Sequence, residues 1–183
     1  MNKTDLKLYA ITDRQWLHGA MLSEHVKLAI EGGATMIQIR DKDILSTDSD
    51  AGLKDEYSEA LEIKRICHEH KVPLIINDNV QFAIDIDADG VHLGQDDMNP
   101  AEARKLLGAD KIIGVTAKTV EQAKKAQADG ADYLGSGAVF GSTTKLNAKP
   151  MTKELLREIT AAVDIPVVAI RSEEHTSELQ SPS

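Results

Sequence analysis

The chain has 183 residues, a one-domain length, with 42% apolar and 28% charged residues, so it belongs with ordinary soluble globular chains rather than disordered ones. Its formal net charge of −9 argues against binding to nucleic acid or to an anionic membrane, since both need a basic surface; an anionic substrate must be held by a local group of cations or by a metal ion. No run of about eighteen apolar residues is present, no signal peptide precedes the first apolar stretch, and the single cysteine, Cys67, precludes an intramolecular disulfide, so the expected setting is the cytoplasm.

In chain order, short apolar runs alternate with longer amphipathic ones. Leu8–Ile11 reads as a strand, followed by a helical pattern over 23–31 with Val26, Ala29 and Ile30 on one face. Met36–Ile39 is the second strand, and 55–69 the second helix, on whose stripe Cys67 falls with Ala60 and Ile63 as a small buried hydrophobe. Val72–Ile76 and Val91–Leu93 are strands three and four. Helix 100–107 starts at Pro100 behind Asn99 as an N-cap. Ile112–Val115, Tyr133–Gly135 and Val167–Ile170 complete seven strands, with helical patterns at 119–128 and 152–163 between them, each opened by a threonine.

Three helix ends repeat one theme: Glu31-Gly32-Gly33-Ala34, Ile86-Asp87-Ala88-Asp89-Gly90 and Ala128-Asp129-Gly130-Ala131-Asp132 each read as a helix terminus, a glycine stop and then a strand. Near-continuously apolar strands imply a parallel sheet covered by helices. Uniform βα units and polar residues at nearly every strand end favour a closed barrel over a doubly wound sheet. The absence of GxGxxG after the first strand weakens a dinucleotide reading. The expected architecture is therefore α/β, a TIM (β/α)8 barrel that is incomplete, with about seven strands and the eighth βα unit missing. It forms one domain over 1–170, followed by a non-native disordered tail over 171–183, where apolar periodicity stops and the residues resemble a translated sequencing adapter.

The chemistry-bearing residues sit at the strand ends. Gln38, Arg40 and Lys42 alternate, so they share one face of an extended chain, as phosphate recognition would need; a solvated charge run is the plain alternative. Asp78 follows strand three and Asp97 follows strand four. Neighbouring parallel strands lie about 4.8 Å apart, so the two carboxylates can meet on one Mg²⁺, whose shell is completed by water and phosphate oxygens; taken alone, each could equally be a helix cap. Thr116, after strand five, can donate a hydroxyl hydrogen bond. The segment from Gly135 through Ser142, Thr143, Thr144 and Lys145 is glycine- and hydroxyl-rich and ends in a cation, a phosphate-binding composition without Walker spacing. His92, in mid-strand, faces away from Val91 and Leu93 and reads as a structural or supporting histidine. His68 and His70, at a helix end, read as surface residues. Trp16 and His18 could cover the mouth or simply pack.

Together Tyr9–Asp13, Gln38–Asp43, Ile76-Asn77-Asp78, Gly90–Asp97 and Gly137–Lys145 resemble the thiamine phosphate synthase family, in order over residues 6–170. The resemblance implies a TIM-barrel transferase that joins hydroxymethylpyrimidine diphosphate to thiazole phosphate, releasing diphosphate with Mg²⁺ by a dissociative mechanism. It implies that Gln38, Ile39, Arg40, Asp41, Lys42, Asn77, Thr116 (where the family usually carries serine) and Lys145 bind the pyrimidine diphosphate. It further implies that Asp78 and Asp97 hold Mg²⁺, that Ser142, Thr143 and Thr144 meet the thiazole phosphate, and that Arg40, Lys42 and Lys145 carry the catalytic charge.

Two departures stand out. A rim loop over 44–54 looks longer than usual, and Arg171-Ser172 stand where the family has a phosphate-binding glycine pair, so weak or absent turnover is the expectation for this chain. A related thiazole tautomerase barrel is the nearest alternative, and it does not need both aspartates. A catalytically inactive phosphate-binding barrel fragment is another. Partners are small molecules, with no nucleic acid or membrane, and a homo-oligomer is left open.

Overall fold

The computed structural model describes residues 1, 3–14, 17, 19–40, 50–137 and 151–170, with the backbone alone for residues 3 and 50–56. After a short 3-10 turn (Lys3–Leu6), the strands are β1 (Tyr9–Ile11), β2 (Met36–Ile39), β3 (Leu74–Asn77), β4 (Gly90–Leu93), β5 (Ile112–Thr116), β6 (Tyr133–Ser136) and β7 (Val167–Ala169). The helices are α1 (Leu22–Glu31), α2 (Asp50–Glu69), α3 (Val80–Asp85), α4 (Pro100–Leu107), α5 (Val120–Ala128) and α6 (Lys153–Ala161).

All pairings are parallel, and the spatial order β1-β2-β3-β4-β5-β6-β7 equals the chain order. This is the winding of a barrel; a doubly wound sheet reverses its order at a switch point. The sheet is also rolled. Tyr9 Oη of β1 lies 2.8 Å from Tyr133 Oη of β6, whereas five inter-strand steps of about 4.8 Å would hold those strands roughly 24 Å apart in a flat sheet. Among the described residues β1 and β7 each have one hydrogen-bonded neighbour, so the described barrel is open along one seam.

Strand alternation divides the core into two shells. Ile37, Ile39, Leu74, Ile76, Val91, Leu93, Ile113, Val115 and Leu134 face outward against the helices, meeting Val26, Ile30, Ile63, Phe82, Ala123 and Ile159. Met36, Ile75, Ile112 and Tyr133 face inward with Tyr9, Leu6 and Val168, and form the barrel's floor. Cys67 lies in the outer shell with Ala60 and Ile63. Burial, and then the nearby Asp89 charge, pushes its thiol up to about 12, which leaves it an inert hydrophobe.

The internal repeat has a structural meaning. The residue just before each even-numbered strand accepts a backbone N–H from the start of the preceding strand or from the residue ahead of it. Thr35 Oγ1 takes Leu8 N–H at 2.9 Å, Asp89 Oδ2 takes Leu74 N–H at 2.8 Å, and Asp132 Oδ2 takes Ile113 N–H at 2.8 Å. The glycine stops hold for two of the three units, with Gly33 and Gly130 at φ 103° and 92°. In the middle unit the left-handed residue is Asp87 at φ 51°, and Gly90 is already the first residue of β4.

Helix starts follow the expected caps: the side chains of Asn99, Thr119 and Thr152 accept from Ala101, Gln122 and Leu155 N–H. α3, capped by Asn79 onto Phe82 N–H, has no counterpart in the sequence reading, because its six residues are too few for a helical period to show. α2 begins at Asp50, so residues 50–54 of the anticipated rim loop are helix, while 44–49 lie outside the described residues, as do Trp16, His18 and the tail 171–183. Among the described residues no helix is long and apolar enough to cross a membrane.

Candidate active site at the C-terminal strand ends

Every candidate residue that the structure describes lies at or just beyond the C-terminal end of β2, β3, β4 or β5. On β2, Gln38 is 2% exposed, and its Nε2 donates to Tyr9 Oη at 2.6 Å. Ile39 belongs to the outer shell, which leaves only its peptide groups for a ligand. Arg40 follows β2 and is half-buried. Its N–H donates to Thr12 Oγ1 at 3.0 Å, and Thr12 N–H in turn donates to Gln38 O at 2.9 Å, so β1 and β2 are tied together where the arginine leaves the barrel wall. Asp41 and Lys42 lie outside the described residues, as do Ser142, Thr143, Thr144 and Lys145.

β3 ends at Asn77, and Asp78 then turns into the left-handed region at φ 62°, a conformation that asparagine and aspartate tolerate better than other side-chain-bearing residues. Its N–H donates to His92 O on β4 at 2.8 Å. The chain reverses there, since Asn79 N–H returns to Asn77 O at 2.7 Å. Asp97, in the loop after β4, is held by a hydrogen bond from Gly94 N–H to its Oδ2 at 2.6 Å. The carboxyls of Asp78 and Asp97 share a hydrogen bond, although both residues are open to solvent at the mouth. Neither is the helix cap that spacing alone allowed; Asn79 and Asn99 take those positions.

The electrostatics follow from that meeting. Asp78 is raised from its ordinary 3.8 to about 6, first by being drawn partly out of water and then by the Asp97 carboxyl against it, while the Asn77 amide and the Arg40 charge pull it down. Two carboxyls that can share one proton at neutral-to-acid pH present a place where a small cation gains more than either side chain alone would offer. Among the described residues there is no group of three or more histidine, cysteine, aspartate or glutamate side chains suited to a metal. The donors here are two carboxylates, the pattern that suits Mg²⁺ with water and phosphate oxygens completing its shell.

Thr116 ends β5. Its Oγ1 lies 3.0 Å from His92 Nε2, and its carbonyl accepts from Gln95 Nε2. His92 is 5% exposed and inward-facing, and its Nδ1 is 3.0 Å from Tyr133 Oη. Burial holds the imidazole down at about 4, against the Asp97 charge, so the ring is neutral. The sequence reading assigned no role to Tyr9, Tyr133 or Thr12, although Tyr9–Asp13 is one of the stretches that carry the resemblance. The available signal was two hydroxyl-bearing tyrosines at the inward start of otherwise apolar strands.

The comparisons with known proteins agree on one family. Residues 8–174 match the family model described as thiamine monophosphate synthase. A thiamine-phosphate synthase of Caldanaerobacter subterraneus subsp. tengcongensis is 45% identical over 170 residues, covering 93% of this chain and 76% of that protein. One of Clostridium novyi is 47% identical over 165 residues, covering 90% and 78%. Among solved structures, thiamine phosphate pyrophosphorylase from Pyrococcus furiosus superposes with a TM-score of 0.79 at 36% identity, covering 93% of this chain and 77% of that one. A seven-stranded parallel barrel and a family match over most of its length therefore lead to one statement: the chain belongs to the thiamine monophosphate synthase family.

Proposed function

We propose that the chain joins hydroxymethylpyrimidine diphosphate to thiazole phosphate and releases diphosphate. The observation that carries this reading is the convergence of Asp78 and Asp97 on one hydrogen bond with the Arg40 charge beside it. The two carboxylates fit Mg²⁺ by their hard oxygen donors, and Asp78 and Asp97 are the residues that would hold it; when bound, the ion supplies charge stabilisation to a departing diphosphate. Arg40, with Lys42 and Lys145 from outside the described residues, binds the remaining phosphate oxygens and opposes the net charge of −9. Asn77 holds the Asp78 carboxyl by a hydrogen bond, and Gln38 and Thr116 contact the pyrimidine half.

The chemistry asks little proton transfer of the protein. The carbon–oxygen bond to diphosphate breaks, and both electrons leave with the diphosphate. The aminopyrimidine ring donates density to the methylene cation, and the thiazole nitrogen lone pair then closes the new carbon–nitrogen bond. Positioning and electrostatic complementarity to the leaving anion supply most of the rate. Ser142, Thr143 and Thr144 contact the thiazole phosphate. The neutral His92, linked on both sides, has no free base to offer in this scheme.

The test uses the whole chain and two readouts, Mg²⁺-dependent binding of the pyrimidine diphosphate and release of diphosphate when thiazole phosphate is added. Asp78→Ala is expected to remove the Mg²⁺ dependence of binding and at least 99% of any turnover, on the order of the 10²-fold or larger loss seen when a preorganised electrostatic group is removed. Binding that ignores both Mg²⁺ and this substitution would overturn the assignment.

A further inference from the structure

Above the apolar floor, one unbroken hydrogen-bonded chain crosses the barrel: Gln38 Nε2 to Tyr9 Oη at 2.6 Å, Tyr9 Oη to Tyr133 Oη at 2.8 Å, Tyr133 Oη to His92 Nδ1 at 3.0 Å, and His92 Nε2 to Thr116 Oγ1 at 3.0 Å. It joins β2, β1, β6, β4 and β5, and both of its ends are residues assigned above to the pyrimidine substrate. The three middle groups are buried or nearly so, away from competing water.

With the Gln38 amide nitrogen turned to Tyr9, the chain has a single consistent direction. The Gln38 amide nitrogen can only donate, so Tyr9 accepts there and has one hydrogen left to place. Tyr133 is the partner that receives it. Tyr133 then gives its own hydrogen to His92 Nδ1, and the neutral imidazole carries its proton on Nε2 and gives it to Thr116 Oγ1. Reversed between the tyrosines, the chain would leave the Tyr9 hydroxyl hydrogen buried with no acceptor in it, a costly arrangement. Thr116 therefore keeps its own hydroxyl hydrogen for a ligand, and Gln38 keeps its amide carbonyl oxygen.

The barrel wall is cut to admit this chain. A Cβ on Gly114 would fall inside the ring of Tyr133. A Cβ on Gly135 would stand 2.9 Å from His92 Cε1 and 3.3 Å from Nε2. Tyr9 and Tyr133 also meet edge to face, with centroids 5.8 Å apart, so ring packing and hydroxyl geometry are fixed together.

We infer that Tyr133 is a positioning residue whose hydroxyl sets the hydrogen-bond sense of both ends of this chain, presenting an acceptor at Gln38 and a donor at Thr116 to a heteroaromatic ring that carries an amino donor and a ring-nitrogen acceptor. The ligand class rests on the function proposed above; the sense of the chain does not. An oxo-substituted ring of the same shape reverses donor and acceptor and is refused, because it leaves these groups unpaired.

Two measurements separate the two claims. Long-range proton–nitrogen NMR on the wild-type chain is expected to find His92 as the neutral Nε2–H tautomer, and to find a tautomer mixture in Tyr133→Phe. A wild-type Nδ1–H tautomer or imidazolium would overturn the sense of the chain without any variant having to fold. Equilibrium binding of hydroxymethylpyrimidine diphosphate with Mg²⁺ is expected to weaken about tenfold in Tyr133→Phe and in Thr116→Val, with the double variant no weaker than the worse single, since one linked unit is broken twice. A folded Tyr133→Phe that binds as the wild type does, or losses that simply multiply, would overturn the positioning role. An Nε2–H tautomer in a chain that does not bind the diphosphate would support the chain's sense and overturn the substrate.

Discussion

Asp78 concentrates three features in one residue: a left-handed backbone, a like-charged neighbour and a nearby arginine. Its raised folded-state value gives a signed prediction. Without a divalent cation, Asp78 stabilises the fold while protonated. That contribution is complete below its ordinary 3.8 and is lost as pH rises through about 6. A cation must displace the proton, so Mg²⁺ affinity is expected to reach a plateau above about 6 and to fall by up to tenfold per pH unit below it. Titration calorimetry across that range checks this, and a flat profile would contradict it. The carboxylates were legible in the sequence because Asp78 follows an apolar strand directly and Asp97 stands in the short polar segment after the next one. Tyr9 and Tyr133 were not, because their contact spans 124 positions and depends on how far the sheet rolls, which no local pattern encodes. His92 was legible as an inward-facing residue by strand alternation, but its two partners were not.

Among the elements, the clasps at Thr35, Asp89 and Asp132 account for the internal repeat. A strand's first N–H groups lie at the closed end of the barrel, where the neighbouring strand has not yet begun, and the residue before the next strand supplies the missing acceptor. Asp132 Oδ2 also accepts from Arg104 Nη2 at 2.7 Å, fastening α4 beneath β6. Asp132→Ala is expected to cost about 1–3 kcal/mol, because Ile113 N–H loses its side-chain acceptor and the Arg104 guanidinium its carboxylate partner together; urea unfolding of the variant beside Asp132→Asn, which keeps a carbonyl oxygen for the amide, measures it. The strands could be anticipated from their apolar runs and α4, α5 and α6 from their caps. α3 could not, because one and a half turns carry no period, and the left-handed residue before β4 fell on Asp87, where glycine spacing pointed elsewhere.

At the scale of the whole molecule, the two shells have different jobs. The outer shell binds helices to the sheet, whereas on the inner side the rings of Tyr133 and His92 lie against Gly114 and Gly135. Gly114→Ala is therefore expected to destabilise by roughly 1–3 kcal/mol, as overpacked cores do, and to displace the Tyr133 ring; the Tm of the variant and loss of the His92 tautomer signal check both. The barrel architecture and the polar mouth were visible in the alternation of strands and in the composition of their ends. The inner shell's layering was not, since it follows from register between strands rather than from any one of them.

Met36, Ile75, Ile112 and Tyr133 close the base with side chains packed at 8% exposure or less, so the barrel is a cup rather than a tube. Nothing then passes through the base. Two reactants enter and two products leave by the mouth or along the seam that the described strands leave open. Whatever rests against the floor therefore has the longest way out.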